Sequence, residues 1–468
     1  MKIELAKNEL IHFVGIGGIG MNGLAIIMKG LGFKVQGSDL FLNKNIDNLK
    51  KKKIKIFLGH NKKNIKNSTI LVFSSAIKKN NPEYMEAKKR GLPIYKRGEM
   101  LGHIVSLMKN IVVAGSHGKT TTTSLISSIF AKSNIDATVI NGGILNAFEN
   151  SAKLGKSNWC ILESDESDGS FLNLPLTYSI VTNLDLEHLD YYKSLDNLKK
   201  NFINFINKTP SFGKNFLCID DKNNKSIISK LKNTNFLTYG VDKKSNFRIL
   251  NISQNIYFSK FDIKITVPGK KEKFLRNLKI PLNGLHNIRN ATAASAVAST
   301  VGISKDFIKN GLKNFKGVQR RFTFLFKYRG SIFIDDYAHH PTEITEVLNG
   351  VKDVYKERKI ICVFQPHRIS RVKNLRKEFS QSFKKADEVI LCPIFKTFEP
   401  APIINILPLL LYNFKKFFNS IREFGLKNIL HLPPILNQFI CFKFLSNSKL
   451  LLICFENSLI SSRFIKLN

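Results

Sequence analysis

Apolar residues come in short, near-continuous runs along this chain, most of them closing on Gly, Ser or Asp. The first are IHFVGIG (11–17), KVQGSD (34–39) and ILVFSSA (70–76). IVVAGS (111–116), ATVI (137–140), WCILES (159–164), SIVTNLD (179–185) and FLCID (216–220) lie in the middle. SIFIDD (331–336), IICVFQP (360–366) and VILCPIF (389–395) come later. Runs of this length without alternation suit strands covered on both faces, as in parallel sheets. Polar stretches of helical character separate many of them, so the pattern predicts an α/β chain with crossover helices. New strand series begin near residues 107–110 and 316–321, which predicts domains at 1–107, 108–317 and 318–468. A chain of 468 residues has room for about three domains of common size.

Charge changes the picture less than its size suggests. The formal net charge is +38, from 73 Lys and Arg against 35 Asp and Glu. Such an excess raises nucleic acid or an anionic membrane as partner. The lysines are scattered, however, and Asn, Ile and Phe are also heavily used, so the excess reads as compositional drift on a solvated surface. No base-stacking aromatic module accompanies it, and we expect no nucleic-acid partner. The opening MKIELAKNEL lacks the apolar segment of a signal peptide, and no apolar run reaches the roughly 18 residues of a membrane span. The expectation is a cytoplasmic protein without membrane attachment. Cys160, Cys218, Cys362 and Cys392 sit in strand-like runs and form no C-x-x-C pair, which predicts buried thiols in a reducing compartment.

Four segments carry candidate chemistry. Gly15-Ile16-Gly17-Gly18-Ile19-Gly20-Met21 follows a strand and opens a helix, and fits G-x-G-x-x-G. Its glycines let backbone approach a diphosphate at a helix N-terminus, and Asp39 ends the next strand where an acid meets a ribose hydroxyl. A nicotinamide site and a ligand-free tight turn both fit this segment. Gly115-Ser116-His117-Gly118-Lys119-Thr120-Thr121 has the order of a phosphate loop: strand, glycine loop, Lys, Thr, helix. Backbone amides and Lys119 would hold phosphates, and the Thr120 hydroxyl would ligate Mg²⁺. Glu163 closes a strand and leads into SDESD (164–168), a place for hard oxygen ligands or for a polar cap. His188, in NLDLEHLD (183–190), is a metal ligand or a satisfied loop histidine. Further on, LNGLHNIRNA (282–291), GVQRRF (317–322), DDYAHHPTEI (335–344) and FQPHRISR (364–371) gather His and Arg, two of them behind apolar strands.

In this order, over residues 11–391, these segments resemble the Mur ligase family. The resemblance implies a Rossmann-like domain for a UDP-sugar, a central phosphate-loop ATPase domain with a mainly parallel sheet, and a Rossmann-like C-terminal domain that helps bind substrates. It reassigns Gly15, Gly17, Gly18, Gly20, Met21 and Asp39 to the UDP-sugar. It gives ATP to Gly115, Ser116, His117, Gly118, Lys119, Thr120 and Thr121, with His286, Asn290 and Arg321. It gives the metal to Thr120, Glu163 and His188, and the substrates to His340, Arg368 and Arg371. Lys119, Glu163, His188, His339 and Arg368 become the catalytic set. The implied activity is ATP- and Mg²⁺-dependent ligation of L-alanine to the carboxylate of UDP-N-acetylmuramate through an acyl phosphate, by a monomer or weak homodimer. The alternatives are a related ligase that attaches a recycled peptide to the same UDP-sugar, and a catalytically impaired relative.

The end of the chain departs from that pattern. Residues 401–468 hold no Asp, two Glu (Glu423 and Glu456) and one Gly (Gly425), and Pro433-Pro434 interrupts an apolar run. No strand or helix period holds for long there. We expect a reading-frame shift near residues 396–403, with a diverged membrane-associating tail as the alternative.

Overall fold

The computed structural model describes residues 8–232, 234–328, 330–392, 394 and 450–455. Every apolar run named above contains a strand segment. The first sheet is parallel and holds β1 (Leu10–Val14), β2 (Lys34–Asp39), β3 (Lys55–Leu58), β4 (Ile70–Phe73) and β5 (Ile94–Lys96) in the order β3-β2-β1-β4-β5. Four helices belong to it: α1 (Ile19–Gly30), α2 (Lys44–Lys51), α3 (Pro82–Lys89) and α4 (Arg97–Val105). The strand order reverses at β1, so a crevice opens beyond the carboxyl ends of β1 and β4. Helix α1 buries Met21, Leu24, Ala25 and Ile27 against the core.

The second sheet holds β6 (Lys109–Ala114), β7 (Thr138–Leu145), β8 (Asn150–Lys153), β9 (Trp159–Glu163), β10 (Tyr178–Val181), β11 (Lys214–Cys218), β12 (Phe236–Gly240), β13 (Phe247–Gln254), β14 (Ser259–Ile265) and β15 (Lys273–Ile280). Their order is β15-β14-β13-β12-β11-β10-β6-β9-β7-β8. Strands β9, β6 and β10 are parallel neighbours, so their carboxyl ends lie side by side. The helices α5 (Lys119–Lys132), α6 (Leu189–Tyr192), α7 (Leu195–Asn207), α8 (Lys222–Ile227), α9 (Leu285–Val301) and α10 (Lys305–Lys313) complete this part. Residues to Ser253, Ser259–Pro281 and His286–Gln319 form one compact unit, which includes the first two sheets.

The second unit takes in Gln254–Phe258, Leu282–Leu285 and the described residues from Arg320 onward. Its sheet holds β16 (Thr323–Tyr328), β17 (Ser331–Asp336), β18 (Lys359–Phe364), β19 (Glu388–Leu391) and β20 (Leu450–Phe455), in the order β16-β17-β20-β18-β19. Helices α11 (Pro341–Val354) and α12 (Ile369–Asn374) follow β17 and β18. Strand β20 (LLLICF) pairs in parallel with both β17 and β18, in the middle of the sheet. The sequence shows no strand period in this segment, but a central parallel strand needs a continuous apolar run rather than alternation. The expected frame shift and membrane-associating tail otherwise concern residues outside the described ones. Among the described residues, no helix is long and apolar enough to cross a membrane.

Cys160, Cys218 and Cys362 are buried in β9, β11 and β18, and Cys392 is half-buried one residue past β19. Burial pushes the Cys160 and Cys218 thiols up to about 12, as fits structural rather than reactive cysteines.

Candidate active site

The loop after β6 is shaped by two glycines. Gly115 and Gly118 have φ of 126° and 81°, in the left-handed region where a side chain is strained. A Cβ on Gly115 would lie 2.2 Å from Thr182 Oγ1, and one on Gly118 would lie 2.7 Å from Asn290 Oδ1. Gly118 caps α5, so the loop's amides and the positive end of the helix face the same space.

The loop after β10 holds this loop from below. The Ser116 amide donates to Asn183 O at 3.0 Å, and the His117 amide to Asn183 Oδ1 at 2.8 Å. The Asp185 amide donates to Ser116 Oγ at 2.8 Å, and His117 Nε2 lies 3.1 Å from Asp185 Oδ2. Thr182 Oγ1 donates to His117 O at 2.6 Å. Asn183, Asp185 and Thr182 therefore set the loop's shape, a role the sequence reading did not give them. Their place at the carboxyl end of the SIVTNLD run was the available signal.

Acidic groups from β9 close the other side. The Thr120 hydroxyl donates to Glu163 Oε1 at 3.1 Å, and the Gly142 amide donates to Glu163 Oε2 at 2.7 Å. Lys119 Nζ donates to Gly115 O at 2.6 Å, to Ser116 O at 3.0 Å and to Glu166 Oε1 at 2.7 Å. Burial alone would push the ammonium toward releasing its proton. Glu166, Glu163 and Glu187 outweigh that and hold Lys119 above its ordinary range, so it stays charged. His188, at φ 53°, puts Nε2 3.6 Å from Glu166 Oε1 and 3.8 Å from Glu187 Oε2. Glu166, Glu187 and His188 each offer a ligand atom within 4.8 Å of the others. The Glu166 and Glu187 carboxylates and the His188 imidazole form a hard, mixed oxygen and nitrogen donor set that suits a divalent cation.

Thr121 is buried in the first turn of α5. Asn290 is buried on α9 against Gly118, and His286 stands one turn before it on the same helix.

In the first sheet, Gly15 (φ 80°) turns the chain out of β1, and its amide and that of Ile16 donate to Ser38 O at 2.9 and 3.0 Å. Asp39 Oδ2 accepts the Gly17 amide at 2.8 Å. A Cβ on Gly17 would lie 2.9 Å from that oxygen, so a side chain there would push the Asp39 carboxylate aside. Gly17 O in turn accepts from Asn45 Nδ2 at 2.9 Å. Gly18 and Gly20 stand at the start of α1, where Gly20 abuts Arg97, and Met21 is buried behind them. Arg97 pairs with Asp165 at 3.1 Å.

The second unit gathers its own set at the carboxyl ends of β17 and β18. His339 Nδ1 lies 2.9 Å from Tyr337 O, and the His339 ring meets His367 edge-on at 6.0 Å. Arg321 lies 3.6 Å from Glu343, whose Oε2 accepts the His339 amide at 3.1 Å. His340 caps α11, its Nδ1 accepting the Thr342 amide at 3.3 Å. Arg368 begins α12 at φ 63°, and Arg371 Nη1 donates to His367 O at 3.4 Å. Burial drives the Asp336 carboxyl up to about 6, against the pull of Arg321 and the Phe322 and Ala338 amides.

Comparison with known proteins decides what this arrangement belongs to. Models of the Mur ligase family catalytic domain, the Mur ligase middle domain and the Mur ligase glutamate ligase domain match residues 10–109, 113–298 and 320–408. The UDP-N-acetylmuramate–L-alanine ligase of Pelagibacter ubique is 67% identical over 395 residues, covering 84% of this chain and 85% of that protein. The chain belongs to the Mur ligase family. The ligase of the same description from Bartonella henselae is 44% identical over 389 residues, covering 82% of this chain and 81% of that protein. The solved UDP-N-acetylmuramate–alanine ligase of Thermotoga maritima superposes with a TM-score of 0.75 at 26% identity, covering 95% of this chain and 94% of that one. A murein peptide ligase from Psychrobacter arcticus shares the fold, with a TM-score of 0.69 at 22% identity and 95% coverage of each chain. The three-domain Mur ligase fold accounts for the three sheets.

Proposed function

We infer that this Mur ligase joins L-alanine to the carboxylate of UDP-N-acetylmuramate at the expense of ATP, in the synthesis of peptidoglycan precursors. The observation that carries this reading is the 67% identity over 395 residues to a ligase of that description, together with a phosphate loop whose Lys119 stays charged.

A carboxylate is a poor acyl donor, so it first takes the γ-phosphoryl group of ATP. The amine of L-alanine then attacks the acyl phosphate, and phosphate leaves. We assign ATP to Gly115, Ser116, His117, Gly118, Lys119, Thr120 and Thr121, with His286, Asn290 and Arg321 toward the rest of the nucleotide. Loop amides and Lys119 neutralise the transferring phosphoryl group. Thr120, Glu163 and His188 would hold Mg²⁺, which supplies further charge neutralisation on the phosphates when bound.

Gly15, Gly17, Gly18, Gly20, Met21 and Asp39 receive the UDP-sugar. Asp39 already fixes the Gly17 amide, which supports a role in shaping that loop rather than only touching the ligand. His339, His340, Arg368 and Arg371 are assigned to orienting the anionic reactants, largely an entropic contribution. Domain limits of 1–107, 108–317 and 318–468, a cytoplasmic location and a monomer or weak homodimer complete the proposal.

Mass spectrometry of the products tests it. With ATP, Mg²⁺ and UDP-N-acetylmuramate, L-alanine is expected to be joined and a tripeptide substrate left unused. Joining of the tripeptide in preference to L-alanine would make the chain a recycling ligase.

A further inference from the structure

An ammonium group has three N–H donors. In this structure all three of Lys119 are spent on the protein: on Gly115 O, Ser116 O and Glu166 Oε1. No donor remains for a phosphate, so a nucleotide must displace one of these acceptors. Glu166 is the only side chain and the only anion among them. Exchanging its carboxylate for a phosphate oxygen keeps the ammonium paired with an anion, whereas losing a backbone carbonyl would reshape the loop.

Glu166 is built to make this exchange. Its residue is buried, and its Oε2 has no hydrogen-bond partner among the described residues, so one edge of the carboxylate is uncommitted. Its backbone is fixed, because the buried Tyr192 hydroxyl donates to Glu166 O at 2.5 Å. His188 Nε2 already lies 3.6 Å from its Oε1.

We propose that Glu166 is a positioning residue that holds Lys119 in the phosphate loop and yields it to a bound triphosphate. The carboxylate thereby keeps the buried ammonium neutralised between turnovers and competes with nucleotide for it. This rests on the ATP reading of the loop given above.

Equilibrium binding of ATP in the presence of a chelator, followed by calorimetry on the full chain, tests the exchange without metal or turnover. The Glu166→Gln variant is expected to bind about tenfold tighter than the parent, because a charge-assisted competitor has been removed. Glu163→Gln removes a nearby charge that does not touch Lys119 Nζ, and is expected to tighten binding far less. Should Glu166→Gln fail to fold, Glu166→Asp, with its shorter reach, is expected to tighten binding about threefold by the same weakening of the contact. Glu166 variants that bind ATP no tighter than the parent, or a Glu163→Gln variant that matches Glu166→Gln, would overturn the exchange. Failure of the parent chain to bind ATP at all would instead remove the nucleotide reading beneath it.

Discussion

The Thr120 hydroxyl donates to Oε1 of Glu163 over 3.1 Å, tying the first turn of α5 to the end of β9 across 43 residues of sequence. Oε2 of the same carboxylate is held by the Gly142 amide. Both oxygens of Glu163 are thus aimed before any cation arrives. Replacing Glu163 with Gln keeps the shape and halves the acceptors. It is expected to lower kcat about a hundredfold and to raise the Mg²⁺ concentration needed for half-maximal rate. Steady-state rates across a Mg²⁺ titration check this, and an unchanged Mg²⁺ requirement would remove Glu163 from the metal site.

Gly118 offers a steric test of the loop. Its φ of 81° and the 2.7 Å approach of a would-be Cβ to Asn290 Oδ1 both oppose any side chain. Gly118→Ala is expected to cost about 1–2 kcal/mol in backbone strain alone and to abolish measurable ATP binding. Calorimetric ATP binding beside a melting curve separates the two effects. Binding at the parent's affinity would mean that the loop tolerates a reshaping the geometry forbids.

Asp39 is expected to matter for one substrate only. Asp39→Ala frees the Gly17 amide and lets the glycine loop drift, so KM for the UDP-sugar should rise about tenfold while KM for ATP holds. Equal rises in both would point to general unfolding instead.

Acid should attack the first sheet through Glu83. This fully buried carboxylate accepts from Ser38 at 2.6 Å and Asn64 at 2.7 Å, with His12 at 3.4 Å and His60 at 3.3 Å. Burial opposes its ionisation, but His12, Ser38 and Asn64 outweigh burial and hold it below the usual carboxylate range. A depressed carboxyl stabilises the fold above its unfolded value near 4.5, and that stability disappears as pH falls through the folded value. Melting temperature is therefore expected to drop below pH 4.5 in the parent, and less steeply in Glu83→Gln, which starts lower. Parallel curves would contradict the assignment.

Much of this was legible beforehand, and what was missed has a physical cause. Buried parallel strands such as β1, β6 and β18 announce themselves as continuous apolar runs. Strands β14 and β15 escaped because polar residues break up their apolar positions, with buried Phe261, Ile263 and Leu278 set among Lys260, Asp262, Lys264, Arg276 and Asn277. The phosphate loop was visible because its residues are contiguous. The grip of Asn183 and Asp185 on Ser116 and His117 was not, since it depends on β10 lying beside β6, and nothing local in the sequence says which strand ends meet. The Glu166 contact with Lys119 was hidden for the same reason.

Strand β20 gives the tail a structural test. It separates β17 from β18, so cutting the chain before Leu450 leaves two central edges unpaired. The truncated chain is expected to lose the melting transition of the second unit and to aggregate. Retention of that transition would show the strand to be dispensable.

The central claim concerns an acyl phosphate, and oxygen labelling reaches it most directly. With ¹⁸O in the muramoyl carboxylate, ATP, Mg²⁺ and L-alanine, activation by phosphoryl transfer predicts that one labelled oxygen per turnover appears in the released phosphate, and that Lys119→Ala abolishes its release. Phosphate free of label while UDP-N-acetylmuramoyl-L-alanine accumulates would contradict the account.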